Sequence, residues 1–451
     1  MELAKEFEQL ENKDKKEIPG PKGLELLKLG MMFQNDPLST YDYIHRTYGD
    51  VVWCPWPNRN VVFLFHPDDL KRVMKDNQSN YTKSSEYSHM KPLLGEGLLT
   101  SDGEKWKNQR KIMAKEFHPP RIEEYFPQIS KRIQSTLQEL DQQQNKTFDV
   151  TGPLSKLTFQ IAGEIFFGAN VAQFSHEARE ALENETIRMN KRMRRAFNIP
   201  FGIPTPENCK GKKSVATLDN IVSSIMESGE SENSFNVLRK LMNQTPALEK
   251  NVIRDEVMTL LLAGHETTSN SLTWTLMYLC QHPEWQVKLQ NELKDLGKSA
   301  AELSLSDMTV LKTFRSVIQE AIRLMPPIPA IGRKTIKSDI LGGHEVGPNV
   351  SVSFFPIVTH RDPRFWEEPM TFKPERFMDR KDRKDDFTYF PFARGARACI
   401  GEELAMVESI LILAHFVEGK NWTMADNFKP QPVHHLTLRS ANGLSVRFQL
   451  E

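Results

Sequence analysis

The chain has 451 residues, of which 39% are hydrophobic and 26% charged, and its 59 lysines and arginines are balanced by 59 aspartates and glutamates. A neutral chain offers no overall charge with which to bind nucleic acid or an anionic membrane, so no nucleic-acid partner is expected. The four cysteines are far apart and form no CxxC pair. This spacing argues against a disulfide framework or structural zinc site and favours a reducing, cytoplasmic compartment.

The N-terminal segment predicts a charged, flexible tail over residues 1–18, ended by the turn-forming Pro19-Gly20-Pro21. No basic stretch is followed by an apolar segment, so no signal peptide is expected. The apolar runs at 257–264 and 410–417 are well short of the ~18 to 20 residues of a membrane span. The sequence therefore predicts no transmembrane anchor.

The remaining elements predict a mainly α protein with a smaller β-rich part. Alternating apolar residues predict strands at about 49–75, where a hairpin precedes a short helix, and again at 336–354 and 436–448. Helical periodicity dominates from about 104 to 301, including a long helix over 252–280. Because no Ser/Gly-rich linker divides residues 19–451, we expect one large unit.

A single cysteine lies in a glycine-containing loop, FPFARGARACIG, just before an apolar helix. At a helix start, unpaired N–H groups and the helix dipole would lower the pKa of Cys399 and favour the thiolate. Gly395 and Gly401 would let a flat macrocycle approach the backbone closely. Phe392 could shield the sulfur, and Arg397 could pair with an acidic group of a cofactor. A lone cysteine would more often be a buried structural residue, but the full pattern FxxGxRxCxG favours a metal ligand.

With this loop the chain resembles the cytochrome P-450 family, and the resemblance runs from about Pro19 to Phe448. It implies the cytochrome P-450 fold and heme b (iron protoporphyrin IX), with Cys399 as the axial ligand whose thiolate promotes O–O cleavage. It also implies a monooxygenase that inserts one atom of dioxygen into a lipophilic molecule. The absence of a predicted anchor favours a soluble, bacterial-type member.

Two further motifs come in the order that the resemblance requires. Glu320 and Arg323 share a face of the helix predicted over 313–324, where such a pair alone would usually be a solvated surface bridge. Arg376 follows within the segment FKPERF. The resemblance implies that the three form a buried structural network beneath the haem.

Residues 263–268, AGHETT, place polar side chains inside the apolar stretch of the long helix. Gly264 weakens a helix and threonine can bond back to a carbonyl, so a local groove is predicted, unless this face simply meets solvent. The resemblance implies an oxygen-binding groove beside Ala263, in which the catalytic residues Glu266 and Thr267 organise the water that protonates dioxygen. His265 is predicted to serve helix packing.

A tryptophan and two arginines elsewhere in the chain complete the predicted cofactor site. Trp106 and Arg110 have helical i, i+4 spacing, which by itself is compatible with ordinary packing. The resemblance makes them, with Arg333, contacts of the haem propionates.

An apolar substrate pocket is implied by resemblance in three variable regions. Fatty acids, terpenoids and steroid-like molecules all fit such a lining, although these residues could equally be core. The predicted lining residues are Met90, Leu94, Leu99, Phe197, Phe201, Leu260 and Ile331.

Electrons would come from a separate ferredoxin, flavodoxin or reductase, because no glycine-rich nucleotide motif follows a strand. A basic face would steer an acidic carrier, and its predicted members are Lys105, Lys107, Arg110, Lys111 and Lys115. Two alternatives stay open. A hydrogen-peroxide-dependent peroxygenase would not need the Glu266–Thr267 pair, and a non-catalytic haem sensor or carrier would not need the groove or the pocket.

Overall fold

The computed structural model describes residues 17–56, 59–168, 171–195, 197–228, 237–243, 248–378, 380 and 385–450. All but two residues of the tail predicted over residues 1–18 lie outside this set. Glu17 is described and pairs with Lys22 at the exposed start of the ordered chain.

Helices make up most of the described chain, which confirms the predicted fold class. They are α1 (Leu24–Asn35), α2 (Pro37–Tyr48), α3 (Pro67–Lys71), α4 (Lys91–Leu94), α5 (Gly103–Ala114), α6 (Pro119–Asp141), α7 (Thr151–Phe167), α8 (Ser175–Arg194), α9 (Pro206–Ser228), α10 (Val237–Met242), α11 (Lys250–Gln281), α12 (Pro283–Leu296), α13 (Lys312–Leu324), α14 (Pro356–Thr359), α15 (Glu375–Met378) and α16 (Glu402–Val417). Proline opens α2, α3, α6 and α12, where its missing N–H has no intrahelical partner to lose. Gly168 ends α7 in the left-handed conformation.

The strands are β1 (Val51–Trp56), β2 (Arg59–Leu64), β3 (Tyr81–Lys83), β4 (Phe148–Asp149), β5 (Ile331–Thr335), β6 (Asp339–Leu341), β7 (His344–Val346), β8 (Ser351–Phe354), β9 (Lys420–Met424), β10 (Pro432–His434), β11 (Leu438–Ser440) and β12 (Ser445–Leu450). The main sheet has the order β1-β2-β8-β5-β3, in which only the β2–β8 pair is parallel. Smaller sheets pair β4-β12-β9, β10-β11 and β6-β7.

Two predicted β segments have different boundaries in the structure. The segment expected over 336–354 contains β6, β7 and β8, while the long strand β5 begins earlier, at Ile331. The segment expected over 436–448 is divided between β11 and β12, which belong to different sheets. Alternation along the sequence cannot reveal these divisions, because strand partners come from distant parts of the chain.

Helix α11 lies at the centre of the helical part, where it contacts α7, α13 and α16. It runs unbroken through the polar segment predicted to interrupt it. A side chain at Gly264 would come 2.8 Å from Phe166 Cε2, so this glycine allows α7 to approach closely. The helix therefore presents polar groups at mid-length without a break in its axis.

Among the described residues, none of the helices combines the length and the apolar character that crossing a bilayer requires.

Candidate functional site

The loop before α16 is held closed by its own main chain. The N–H of Cys399 donates to the carbonyl of Phe392 at 2.8 Å, and the N–H of Ala393 donates to the carbonyl of Phe390 at 3.0 Å. Gly395 has φ +73°, and a Cβ there would collide with the carbonyl oxygen of Met74. Glycine is therefore required at this point of the loop.

The side chain of Cys399 lines a recess just before α16. It is solvent-exposed, yet protein atoms surround it closely enough that burial raises the pKa of its thiol. The Gly401 N–H and Arg110 favour the thiolate, but burial outweighs them, so the lowered pKa predicted from the helix start is wrong for the protein alone. An iron ion bonded to the sulfur would supply the positive charge that the thiolate needs.

Arg397 packs over one of the predicted aromatic residues. Its guanidinium lies 4.2 Å from the centre of the Trp106 ring and donates to the carboxylate of Asp102. Its Nη1 is buried and has no hydrogen-bond partner in the part of the chain that the structure describes. A buried, unpaired donor on a cation is costly unless an acceptor is bound there, and a carboxylate is the acceptor it prefers.

Further cations surround Arg397. Lys83 in β3 is the register partner of Arg333 in β5, and its main-chain N–H donates to Asp102 at 2.6 Å. Burial, followed by Arg333 and Arg397, lowers the pKa of the Lys83 amine well below its usual value. Burial also lowers the pKa of Arg110. Positive charge crowded into a recess beside an accessible cysteine fits a cofactor that carries carboxylates.

The structure thus brings Trp106, Arg110, Arg333 and Arg397 together, as the sequence predicts. It also adds Lys83 and Asp102, which the sequence analysis missed. Neither residue stands in a recognisable motif: Lys83 reaches the site through the β3–β5 pairing, and Asp102 directly precedes α5, where it accepts from the Lys83 main chain and from Arg397. Phe392 is partly buried at the start of the cysteine loop, and a Cβ on Gly401 would lie 3.9 Å from the sulfur.

The three predicted network residues form one buried cluster. Arg323 donates through Nε and Nη2 to the two oxygens of Glu320 at 2.7 and 2.8 Å, and both side chains are fully buried. Arg376 reaches the same carboxylate at 3.2 Å. The remaining Nη1 of Arg323 donates to the carbonyls of His360 and Pro369, both at 2.7 Å. The buried charges of Glu320 and Arg323 therefore compensate each other, as burial of ions requires, and Arg376, which is 10% exposed, is a second cation on the same carboxylate.

Helix α11 supplies the predicted oxygen-binding segment. Ala263 is exposed, and the hydroxyl of Thr267 donates back to the Ala263 carbonyl at 2.8 Å. Glu266 Oε1 accepts the hydroxyl hydrogen of Thr437 at 2.6 Å. Thr437, which the sequence analysis missed, precedes β11. The Glu266 carboxylate is thereby held by a distant segment of the chain.

His265 lies on the other side of α11. Its ring contacts the Leu261 carbonyl at 2.8 Å, and its own carbonyl accepts a hydrogen bond from Thr158 of α7. Burial lowers the pKa of the ring, so the residue is neutral in its packing position. This agrees with its predicted role in helix packing.

The predicted substrate residues are only partly brought together. Met90, Leu94 and Leu260 are buried in one hydrophobic cluster, with Leu99 partly buried against it. Ile331 belongs to a second cluster on the main sheet. Phe201 lies under the guanidinium of Arg188, at 4.5 Å, in the connection between α8 and α9. Phe197, in the same connection, is 78% exposed and stands apart from the others.

A mainly helical fold with an accessible cysteine before a long buried helix, flanked by buried cations, defines a haem-thiolate protein. The profile of the Cytochrome P450 family matches residues 18–446. The chain therefore belongs to the cytochrome P450 family, whose members are monooxygenases that bind haem b through a cysteine thiolate.

Similar proteins come from animals and plants. Cytochrome P450 4d2 of Drosophila melanogaster is 29% identical over 95% of this chain and 93% of its own length. Cytochrome P450 4V2 of Homo sapiens is 26% identical over 86% of this chain and 80% of its own. Protein LUTEIN DEFICIENT 5, chloroplastic, of Arabidopsis thaliana is 25% identical over 89% of this chain and 72% of its own. That the chain is a bacterial-type member stays a prediction.

Proposed function

We propose that Cys399 is the axial ligand of haem b in an oxygenase acting on lipophilic small molecules. The observation that carries the proposal is the accessible Cys399 sulfur in a closed loop, beside the unpaired Nη1 of Arg397. These residues would hold a haem that supplies the oxygenation chemistry, in which dioxygen, two electrons from the donor and two protons give one oxygen atom in the substrate and one molecule of water.

The propionates would be held by Arg397, Arg333, Arg110 and Trp106, with Lys83 as an additional donor. Planar guanidinium groups suit bidentate carboxylate contacts, and the crowding of cations favours a group with more than one negative charge. Phe392 and Gly401 would border the sulfur side of the macrocycle. Ala263 on α11 is exposed, and its small side chain would leave room for dioxygen.

Glu266 and Thr267 would deliver protons from α11 to the open side of the recess. Thr267 donates its hydroxyl hydrogen to the Ala263 carbonyl, which leaves the oxygen lone pairs to accept from water. The hydroxyl of Thr437 orients the Glu266 carboxylate. Together the two residues can order water for proton delivery.

The substrate class is proposed as fatty acid, terpenoid or steroid-like. Met90, Leu94 and Leu260 belong to the main hydrophobic core and Leu99 packs against it, where α4 contacts α11, and apolar side chains at this place would suit a lipophilic ligand. Phe201 and Ile331 would contribute from the edges of this region. For Phe197, which is exposed, a contact requires that the α8–α9 connection fold inward over the ligand.

The substrate is tested by titrating the ferric holoprotein with members of the three lipid classes and following the spin state of the iron. Ligands that shift the spin state are then incubated with a redox couple, and oxygenated products are identified. A shift with one class and its oxygenated product supports the proposal, whereas no response to any class contradicts it. Supplying hydrogen peroxide instead of the redox couple tests the peroxygenase alternative.

A separate ferredoxin, flavodoxin or reductase is proposed as the electron donor. Helix α5 turns Arg110 inward, while Lys111 and, just beyond the helix, Lys115 are exposed. Lys105 and Lys107 on the same helix are engaged with Glu96 and Glu104. An acidic carrier would be steered to this face, so the reduction rate should fall as ionic strength rises, and an unchanged rate contradicts the proposal.

A cytoplasmic location remains a prediction from the cysteines, all four of which are unpaired. Fractionation of cells that express the protein tests it.

A further inference from the structure

One histidine lies between the buried ion-pair network and the cysteine loop. The main-chain carbonyl of His360 accepts a hydrogen bond from Nη1 of Arg323 at 2.7 Å. Its ring nitrogen Nε2 accepts the main-chain N–H of Phe390 at 2.9 Å. His360 therefore joins the two structures through opposite ends of the same residue.

The contact with Phe390 continues to the cysteine through main-chain hydrogen bonds. The carbonyl of Phe390 accepts the N–H of Ala393, and the carbonyl of Phe392 accepts the N–H of Cys399. Hence only Pro391 lies between the residue whose amide His360 holds and the residue whose carbonyl holds the cysteine. Any displacement of Phe390 must be taken up within this short segment.

The ring of His360 is neutral, so one of its nitrogens can accept a hydrogen bond. The residue is completely buried, and burial together with Arg323 and Arg380 lowers its pKa well below the usual value. The neutral ring has one N–H, and because Nε2 accepts, the hydrogen is on Nδ1, which is buried and has no hydrogen-bond partner among the described residues. The rings of Tyr389 and Phe390 lie 5.3 and 5.0 Å from its centre and fix its plane.

We infer that His360 is a positioning residue for the thiolate ligand. Its carbonyl is held by Arg323 of the Glu320–Arg323 pair, and its ring nitrogen holds the Phe390 amide of the Cys399 loop. The position of the loop is therefore fixed relative to the ion pair. The inference rests on the proposed role of Cys399 as iron ligand. It assigns to His360 a contribution to the iron–sulfur bond that is separable from its contribution to folding.

The physical reason lies in the amide of Phe390. If the acceptor is removed, this N–H is left buried without a partner, which raises the free energy of the loop. A shift of the loop that brings the amide to another acceptor lowers that free energy. A metal ligand supported by a displaced loop bonds less well, because outer hydrogen bonds orient inner ligands. The loss should appear in the ligation of the iron before it appears in the stability of the fold.

Two substitutions separate the acceptor from the bulk of the ring. His360→Gln retains an oxygen that can accept from Phe390, whereas His360→Phe retains a ring but has no acceptor. Tyr389→Phe is the matched control, since it deletes a neighbouring buried hydrogen bond, from the Tyr389 hydroxyl to the Gln319 carbonyl at 3.1 Å, without touching the loop amide. All are compared as holoproteins.

Three quantities are measured: the fraction of the reduced carbonyl complex with a thiolate-type spectrum, the rate of haem transfer to a scavenger protein, and the melting temperature. We expect H360F to lose haem about tenfold faster, as one buried hydrogen bond implies, and to lose thiolate-type spectrum. H360Q should stay close to the unaltered protein. Y389F should lower the melting temperature and keep the thiolate-type spectrum.

Several results overturn the inference. They are an unchanged spectrum and haem-transfer rate in H360F, an H360Q variant as impaired as H360F, or a Y389F variant with the same spectral loss. If H360F yields no soluble protein, hydrogen exchange of the Phe390 amide in the unaltered holoprotein decides. Slow exchange is expected, and exchange at the rate of an exposed amide overturns the inference. An imidazole-type spectrum in the unaltered protein instead overturns the proposed function itself.

Discussion

Arg323 donates to both carboxylate oxygens of Glu320, at 2.7 and 2.8 Å, and neither side chain reaches solvent. Loss of Glu320 leaves the buried Arg323 without its carboxylate, and loss of Arg323 leaves the buried carboxylate with only the longer contact to Arg376, at a cost of about 3 to 5 kcal/mol. We therefore expect E320A and R323A to abolish haem incorporation, measured as haem content after expression with ample haem supply.

The control for this prediction is an exposed ion pair. Lys156 and Glu139 are 2.8 Å apart with side chains 41% and 64% exposed. Such a pair contributes at most about 1 kcal/mol, so K156A should keep full haem content. A Glu320 or Arg323 variant that purifies with full haem content contradicts the assignment of the network.

Arg397 and Lys83 are expected to determine how tightly the haem is held. Replacing Arg397 with leucine removes the buried donor that has no partner among the described residues, and K83M removes a neighbouring cation. Each charge-assisted hydrogen bond to a propionate should contribute about 1.5 to 3 kcal/mol, so haem transfer to a scavenger should accelerate by at least about tenfold. The control R46L alters an arginine that is 77% exposed. Equal transfer rates in all variants contradict the propionate assignment.

Glu256 on α11 makes stability depend on pH. Burial raises the pKa of its carboxyl from 4.5 to about 7; Asp255 raises it further, while the Leu98 N–H and Lys105 lower it. Because the folded protein favours the protonated form, the contribution of Glu256 to the free energy of unfolding is greatest below pH 4.5 and falls as the pH rises to about 7. The fall amounts to roughly 3 kcal/mol from this group.

E256Q retains an acceptor for the Leu98 N–H and cannot ionise. The variant should therefore lack the decrease in the free energy of unfolding that Glu256 causes as the pH rises. Chemical denaturation at a series of pH values between 4 and 8 measures the difference between the variant and the unaltered protein. E123Q changes an exposed carboxylate and should leave the pH dependence as it is. A pH dependence identical in E256Q and the unaltered protein rules out the proposed titration.

Thr267 is expected to couple electron consumption to product formation. T267A removes the hydroxyl proposed to order water beside dioxygen, and loss of a general acid–base contribution lowers product formation by about one hundredfold. Thr275 makes the same back-bond, from its hydroxyl to the Ser271 carbonyl at 2.8 Å, further along α11. T275A should therefore form product at the normal rate. If T267A gives the same product yield per electron pair as the unaltered protein, the assignment of Thr267 is contradicted.

The sequence predicted the arrangement of the candidate site residues best where it depends on short spacings. The Trp106–Arg110 pair, the Glu320–Arg323 pair and the cysteine loop each lie within a few residues along the chain, so that their local structure is enough to align them. The fold class followed from helical periodicity in the same way. In each of these cases one segment carries all the information.

Contacts between distant segments could not be predicted in this way. Lys83 reaches the site because β3 pairs with β5. Thr437, which donates to Glu266, is 171 residues away from it along the chain. Burial caused the error at Cys399, because a helix start alone suggests a lowered pKa while the surrounding protein raises it. Packing of this kind is decided by the whole fold.

The central claim is that the Cys399 sulfur bonds to the haem iron as a thiolate. The most direct test is the spectrum of the reduced carbonyl complex of the purified holoprotein, compared with that of C399H. We predict a thiolate-type spectrum for the unaltered protein and its loss in the variant. An imidazole-type spectrum in the unaltered protein, or a protein that stays colourless when haem is abundant, contradicts the claim.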